Sequence, residues 1–290
     1  SGLSGEILCA DVSPLTPDGR SIAVGTVDLA NGGSVWRLEP GRKWSARWED
    51  MGDLPGWADA WLDMSGTMTR RDVYAITSVA FSPSFATDHA IAAVLIAFAE
   101  EMDGDTYDGY YVAYGCWDVT PGWNEAAGFD GFPVPVAADK DVIRTFATAP
   151  AFFLRHISDL ALPQDFQADP RDTANLLLSV NGVQSNQLSG DITAEGGFLF
   201  SLDGADLSRD LLGRAGNPWL TSIAYSGNHV LDGTVMVGCF LPESLSDDWR
   251  WSPHIDDWFA DNGDRVDADH VLPCCEGVMV LYADGLKECC

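Results

Sequence analysis

Positive charge is what this sequence has least of. Lysine occurs three times, at Lys43, Lys140 and Lys287, and Lys plus Arg total 16 against 44 Asp plus Glu, a formal net charge of −28. Neutralising phosphates takes clustered Lys and Arg. No such cluster occurs, so nucleic acid is excluded as a partner, and an anionic bilayer surface repels the chain for the same reason. Long apolar runs are also missing. The most apolar stretch, AIAAVLIAFA from Ala90 to Ala99, is bounded by Asp88 and Glu100. It is too short to span a bilayer and reads as a buried strand, so membrane insertion is not expected. Several catalytic signatures are absent too. There is no HExxH, no GxSxG elbow, no GxxxxGK[ST] loop, no Rossmann fingerprint and no CxxC, which removes the common zinc, nucleophile-elbow, nucleotide and redox readings.

What is present is acid, cysteine, tryptophan and turn residues. Asp outnumbers Glu 34 to 10, which suits turns, where the short Asp side chain bonds its own backbone. Seven cysteines, Cys9, Cys116, Cys239, Cys274, Cys275, Cys289 and Cys290, lack metal spacing and read as disulfide candidates. That places the protein outside the cell or at its surface. The odd count leaves one thiol free or bonded to another chain. The start at Ser1-Gly2, with neither Met nor an apolar leader, reads as a processed mature protein, and a fragment of a longer chain would look the same. Hydrophobic residues at 46% allow a sizeable core and argue against disorder. Glycine (29) and proline (15) interrupt any helical period. Short helical pieces are expected only at Pro55 to Asp63 and Asp248 to Phe259.

The chain also repeats itself. Ile7 begins ILCADVSPLTPDGRSIAV, Ile76 begins ITSVAFSPSFATDHAIAAV, Ile157 begins ISDLALPQDFQADPRDTANLLLSV, and Leu220 begins LTSIAYSGNHVLDGTVMVGC. Each is an apolar start, an alternating strand, a polar turn and a second apolar strand. The positions Cys9, Ser78, Ser158 and Ser222 are taken as equivalent. A second echo follows in each unit, opening at Gly33, Gly109, Gly197 and Gly277. Each is a glycine followed by an alternating aromatic or β-branched strand and a tight turn. This is the plan of an all-β fold, a single β-propeller domain over 1–290 with about four recognisable four-stranded blades. The units run approximately 7–75, 76–156, 157–219 and 220–290. Loop insertions are expected at Trp44 to Arg71, Asp103 to Gly109 and Pro242 to Pro273. Only 13 residues follow Gly277, too few for a full outer strand. The last blade is therefore expected to borrow its edge from the N-terminal segment or from another subunit.

The segments TSVAFSPSFATD (Thr77–Asp88) and SDLALPQDFQAD (Ser158–Asp169) resemble the opening of propeller repeats in secreted prokaryotic proteins. FSLDGAD (Phe200–Asp206) is similar to an Asp-box, with Ser201, Asp203 and Gly204 matching, the glycine a residue early and the tryptophan missing. The chain thus resembles secreted propellers of the BNR/Asp-box type. That resemblance implies a structural turn at Ser201, Asp203 and Gly204. Sialidases of this fold need an arginine triad. The four first strands carry no arginine before their first turn, so the sialidase catalytic set is not expected.

Other constellations remain. Asp257, Asp261, Asp264, Asp267 and Asp269 form an acidic loop of the kind that calcium takes, with Gly263 for the bend. A second, sparser acidic loop runs from Glu100 to Asp108. Of the five histidines, His89 and His229 fall in turns after a first strand, and none is placed in catalysis. Ten of the eleven tryptophans gather at Trp36–Trp61, Trp117–Trp123 and Trp249–Trp258, either as packing or as a platform for sugar rings. Acidic residues are so many that no pair stands out as the two carboxylates of a glycosidase. The sequence alone therefore favours a non-catalytic extracellular structural protein that self-associates into a homo-oligomer, surface layer or filament. Calcium is the one cofactor it would take. The alternative is a carbohydrate-binding or glycan-hydrolysing propeller, with a glycan as ligand.

Overall fold

A computed structural model describes residues 3–28, 32–38, 47–53, 68–101, 106–116, 122–123, 134–139, 158–166, 176–185, 192–203, 206–207, 219–228, 235–240, 272–273 and 278–281. They are nearly all strand, and they group into four antiparallel units.

The first unit is a meander of β1 (Glu6–Val12), β2 (Ile22–Val27), β3 (Val35–Leu38) and β4 (Trp48–Asp50), each paired to the one before. A single 3₁₀ turn, η1 (Met51–Asp53), follows. The second unit is β5 (Met68–Phe81), β6 (Ala90–Glu101) and β7 (Thr106–Cys116). Both β8 (Gly122–Trp123) and β9 (Val134–Asp139) pair with β7, one towards each of its ends. One pairing, Val27↔Ala75, joins the first two units into a single sheet. The third unit is β10 (Ser158–Ala161), β11 (Leu176–Ser185), β12 (Ile192–Asp203) and β13 (Asp206–Leu207). The fourth is β14 (Trp219–Tyr225), β15 (Val235–Phe240), β17 (Val278–Leu281) and β16 (Leu272–Pro273), in that spatial order.

The four sequence repeats supply the first strands β1, β5, β10 and β14. The four glycine-led echoes fall on the third strands β3, β7, β12 and β17. The apolar run from Ala90 is the second strand β6, buried from Ala90 to Ile96. The first strands pack in succession, β1 on β5, β5 on β10 and β10 on β14. Apolar side chains fill the seams between units. Ala23 and Val35 of the first unit cluster with Ile76, Val79, Phe81, Ile91 and Leu95 of the second, while Ala161, Leu177 and Leu199 of the third cluster with Leu220, Ile223 and Val237 of the fourth. Apolar side chains from both partners meet at these seams, so the units stack face to face.

Three sequence expectations change. The last unit does not borrow its outer strand from the N-terminal segment. β1 pairs with β2, and the edge beside β17 is filled by Leu272–Pro273 from just upstream. The stretch Trp44 to Arg71 is not wholly an insertion, because β4, η1 and the start of β5 lie within it. Ser158 and Cys9, taken as equivalent, face opposite neighbours. Ser158 Oγ meets Thr77 Oγ1 at 2.5 Å, on the side of the preceding unit. Asp159 reaches towards the following one, as Cys9 does. The expected helical pieces at 55–63 and 248–259 lie outside the described residues. The described helix is α1 (Phe85–Asp88), a single turn closed by His89 at φ 51.

That turn explains the resemblance in Thr77–Asp88. Ser82 Oγ donates to Asp88 Oδ2 at 2.5 Å, and the Ala90 amide donates to Asp88 Oδ1 at 3.0 Å. The buried Phe85 ring stands edge-on to Phe81 with centroids 4.7 Å apart. Serine, phenylalanine and aspartate at this spacing close the connection between a first and a second strand. In the third unit Phe166 is buried in the corresponding place, and its carbonyl accepts from Ser84 Oγ at 3.4 Å.

Candidate functional site

Two carboxylates on the first strands are held in the same way. In β1, Asp11 Oδ1 accepts from the Val12 amide at 2.7 Å and Oδ2 from the Phe81 amide of the next unit at 2.8 Å. In β10, Asp159 Oδ1 accepts from the Leu160 amide at 2.9 Å and Oδ2 from the Ile223 amide of the next unit at 2.8 Å. Each carboxylate thus bonds its own strand with one oxygen and the neighbouring first strand with the other. A carboxylate has about four lone-pair sites, so each keeps capacity for a further donor.

Burial dominates their electrostatics. Desolvation raises the Asp11 carboxyl above the ordinary aspartate range, against the pull of its bonds from Phe81 and Val12. Asp159 is raised by the same cause, against its bonds from Ile223 and Leu160, and the charge of Asp11 pushes it further up. The two carboxylates therefore feel one another across the first strands. Cys9 lies in the same field. Burial pushes its thiol up to about 12, opposed by a backbone hydrogen bond at Gly25, with the charges of Asp159 and Asp11 adding to the rise. Its Sγ donates to the Ile76 carbonyl at 3.5 Å. Gly25 makes room for it, since a Cβ there would sit 2.6 Å from Cys9 Sγ and 2.6 Å from Ile76 Cγ2. Gly238 does the same for Ser222, whose Oγ a Cβ would meet at 2.6 Å.

The residues named from sequence fall unevenly on the structure. Cys9 is a free thiol. Cys116 ends β7 and Cys239 lies in β15, while Cys274, Cys275, Cys289 and Cys290 lie outside the described residues. So do Asp257, Asp261, Asp264, Asp267 and Asp269. Among the described residues, no group of three or more His, Cys, Asp or Glu could hold a metal ion, and no helix is long and apolar enough to cross a membrane. Ser201 and Asp203 lie in β12, and Asp203 pairs with Asp206 across the hairpin to β13, while Gly204 is outside the described residues. Of the tryptophans, Trp36 is buried in β3, and Trp123 is fully buried with Nε1 donating to the Met51 carbonyl at 2.9 Å. Both serve packing, the second across the seam between units one and two.

Asp11 and Asp159 were missed in the sequence because 34 aspartates compete for notice. A usable signal was present. Both stand inside the apolar start of a repeat, and an aspartate there is rarely buried without a dedicated partner.

The fold is thus an all-β array of repeated antiparallel units with half-buried acids on the first strands of the first and third units. No family profile and no curated protein matches the sequence. Among solved structures, the chain is similar to the GH43_1 enzyme from Xanthomonas citri complexed with xylotriose, at 15% identity and a TM-score of 0.34, over 82% of this chain and 68% of that one. It is also similar to the PQQ-bound form of aldose sugar dehydrogenase from Streptomyces coelicolor, at 15% identity and a TM-score of 0.27, over 82% of this chain and 75% of the other.

Proposed function

We propose that the chain is a carbohydrate-active β-propeller whose four antiparallel units are its blades, and that Asp11 and Asp159 face its sugar ligand. The observation that carries this reading is the duplicated carboxylate: two aspartates on first strands, fixed by the same pair of backbone bonds, electrostatically coupled and raised by burial. In a propeller the first strands surround the axis, where ligands bind. A fixed carboxylate with spare lone pairs accepts from sugar hydroxyls. A carboxyl raised in its protonation range is suited to donate a proton to a glycosidic oxygen while its partner stays ionised.

The test has two arms, a glycan array for binding and release of reducing sugar for hydrolysis. Binding lost in both Asp11→Asn and Asp159→Asn, with the fold retained by circular dichroism, supports the reading. Wild-type protein silent in both assays overturns it. Product formation by wild type alone assigns hydrolysis, whereas binding without product assigns a lectin-like role.

A further inference from the structure

The repeat has a direction. Side chains alternate along a strand, and in the first strands the two rows face opposite neighbours. One row looks forward. Cys9 and Asp11 of β1 bond Ile76 and Phe81 of the second unit, and Asp159 of β10 bonds Ile223 of the fourth. The other row looks back. Ser158 meets Thr77 of the second unit, Val79 packs with Ala23 and Val35 of the first, and Ile223 packs with Ala161 and Leu199 of the third. Every seam inside the molecule therefore sets a forward row on a backward row.

Among the described residues two rows are left over, one of each kind. On the backward row of β1, Leu8 is buried, but Ala10 is exposed and Val12 is 49% exposed. On the forward row of β14, Ser222 and Ala224 are exposed. Met236, directly opposite Ala224 in β15, is 45% exposed. In the other units the backward row of the first strand is closed, with Val79, Ser158, Leu160 and Ile223 all buried.

We propose that these rows are the two halves of an interface between copies of this chain, the forward row of unit four in one molecule covering the backward row of unit one in the next. Each free row is the kind that the other packs on in all three internal seams, so a second copy presents to each surface the partner it fits. The small side chains of Ala10, Ser222 and Ala224 allow close sheet approach, and Val12 and Met236 supply apolar area. Such a contact is heterologous: it leaves a free row at each end, and it propagates unless the ring closes. The charge of −28 opposes it at low salt, so association strengthens as ions screen the chains. This inference takes the four blades as an open arc, with Val12 and Met236 exposed at its two ends, and does not depend on the proposed sugar ligand.

Sedimentation velocity of the full chain tests it, over a range of protein concentrations, at low salt and at a salt where the Debye length is about 3 Å. The expected result is concentration-dependent species heavier than the monomer at high salt. Ala10→Arg and Ala224→Arg should each be monomeric alone. Mixed in equal amounts they should form a dimer and nothing larger, because one intact row remains on each. Unchanged circular dichroism and thermal unfolding establish that both variants fold. A wild-type monomer under all conditions overturns the proposal. So does either variant assembling as the wild type does, or a mixture that stays monomeric.

Discussion

Asn181 and Leu220 are joined by two hydrogen bonds in opposite senses: Asn181 Nδ2 donates to the Leu220 carbonyl at 2.8 Å, and the Leu220 amide donates to Asn181 Oδ1 at 2.8 Å. A side-chain amide here takes the part of a strand. Between the first two units the same task, second strand to next first strand, falls to the backbone pairing of Val27 with Ala75. Asn181 sits beside a register shift in β11, where the ladder is already interrupted.

Replacing Asn181 with leucine should therefore cost more than an ordinary core substitution. Both backbone groups of the buried Leu220 lose their bridging partner, and each buried unsatisfied group costs about 1–3 kcal/mol. The expected outcome is a lower urea midpoint with an unchanged m-value. Asn181→Asp, which keeps one acceptor but brings a charge into the interior, should be no better.

The aspartate staples set a pH dependence of unusual sign. Asp11 and Asp159 titrate higher in the folded state than in the unfolded chain, where an aspartate lies near about 3.9. The folded state thus binds more protons. The stability these groups contribute is fully present below the unfolded value and is lost as pH rises through their raised folded values. Urea midpoints measured from acid to neutral pH should fall less steeply with rising pH in Asp159→Asn than in the wild type. A slope unchanged by the substitution would contradict the assignment.

Gly25→Ala should destabilise by about 1–3 kcal/mol through overpacking, since the added methyl meets both Cys9 Sγ and Ile76 Cγ2. Cys9→Ala in the same chain removes one of those two collisions. A double-mutant cycle should show the pair to be non-additive, with part of the loss recovered.

The Cys9 thiol, with a pKa of about 12, holds almost no thiolate at neutral pH, and thiolate is the reactive form. Alkylation of the native protein followed by peptide mass analysis should leave Cys9 unmodified. Alkylation in denaturant should label it.

Calcium is proposed for the acidic segment bearing Asp257, Asp261, Asp264, Asp267 and Asp269. Anything that binds only the folded state raises its stability by mass action. Addition of calcium should raise the melting temperature, chelator should reverse the rise, and Asp261→Asn with Asp264→Asn should remove it.

Much of the architecture was legible from the repeats. The apolar starts at Ile7, Ile76 and Leu220 and the glycines at Gly33, Gly109, Gly197 and Gly277 mark first and third strands because alternation and strand-ending turns are local properties of the chain. The strand β16 was not legible. Leu272–Pro273 is too short to carry a period, and its place beside β17 depends on a pairing made elsewhere. The candidate site was hidden for a related reason. Nothing in the strings CADVS and SDLAL distinguishes Asp11 and Asp159 from other aspartates until the amides of Phe81 and Ile223, 70 and 64 residues away, are brought to their oxygens.

By itself the sequence determined an acidic, all-β chain of recurring strand units, because charge, composition and period are carried residue by residue. Tertiary structure decided which of the many acids lose part of their water, which side chains bridge one unit to the next, and which rows stay open at Ala10 and Ala224. Those outcomes depend on contacts between residues far apart along the chain, and burial and coupling arise only when such residues meet.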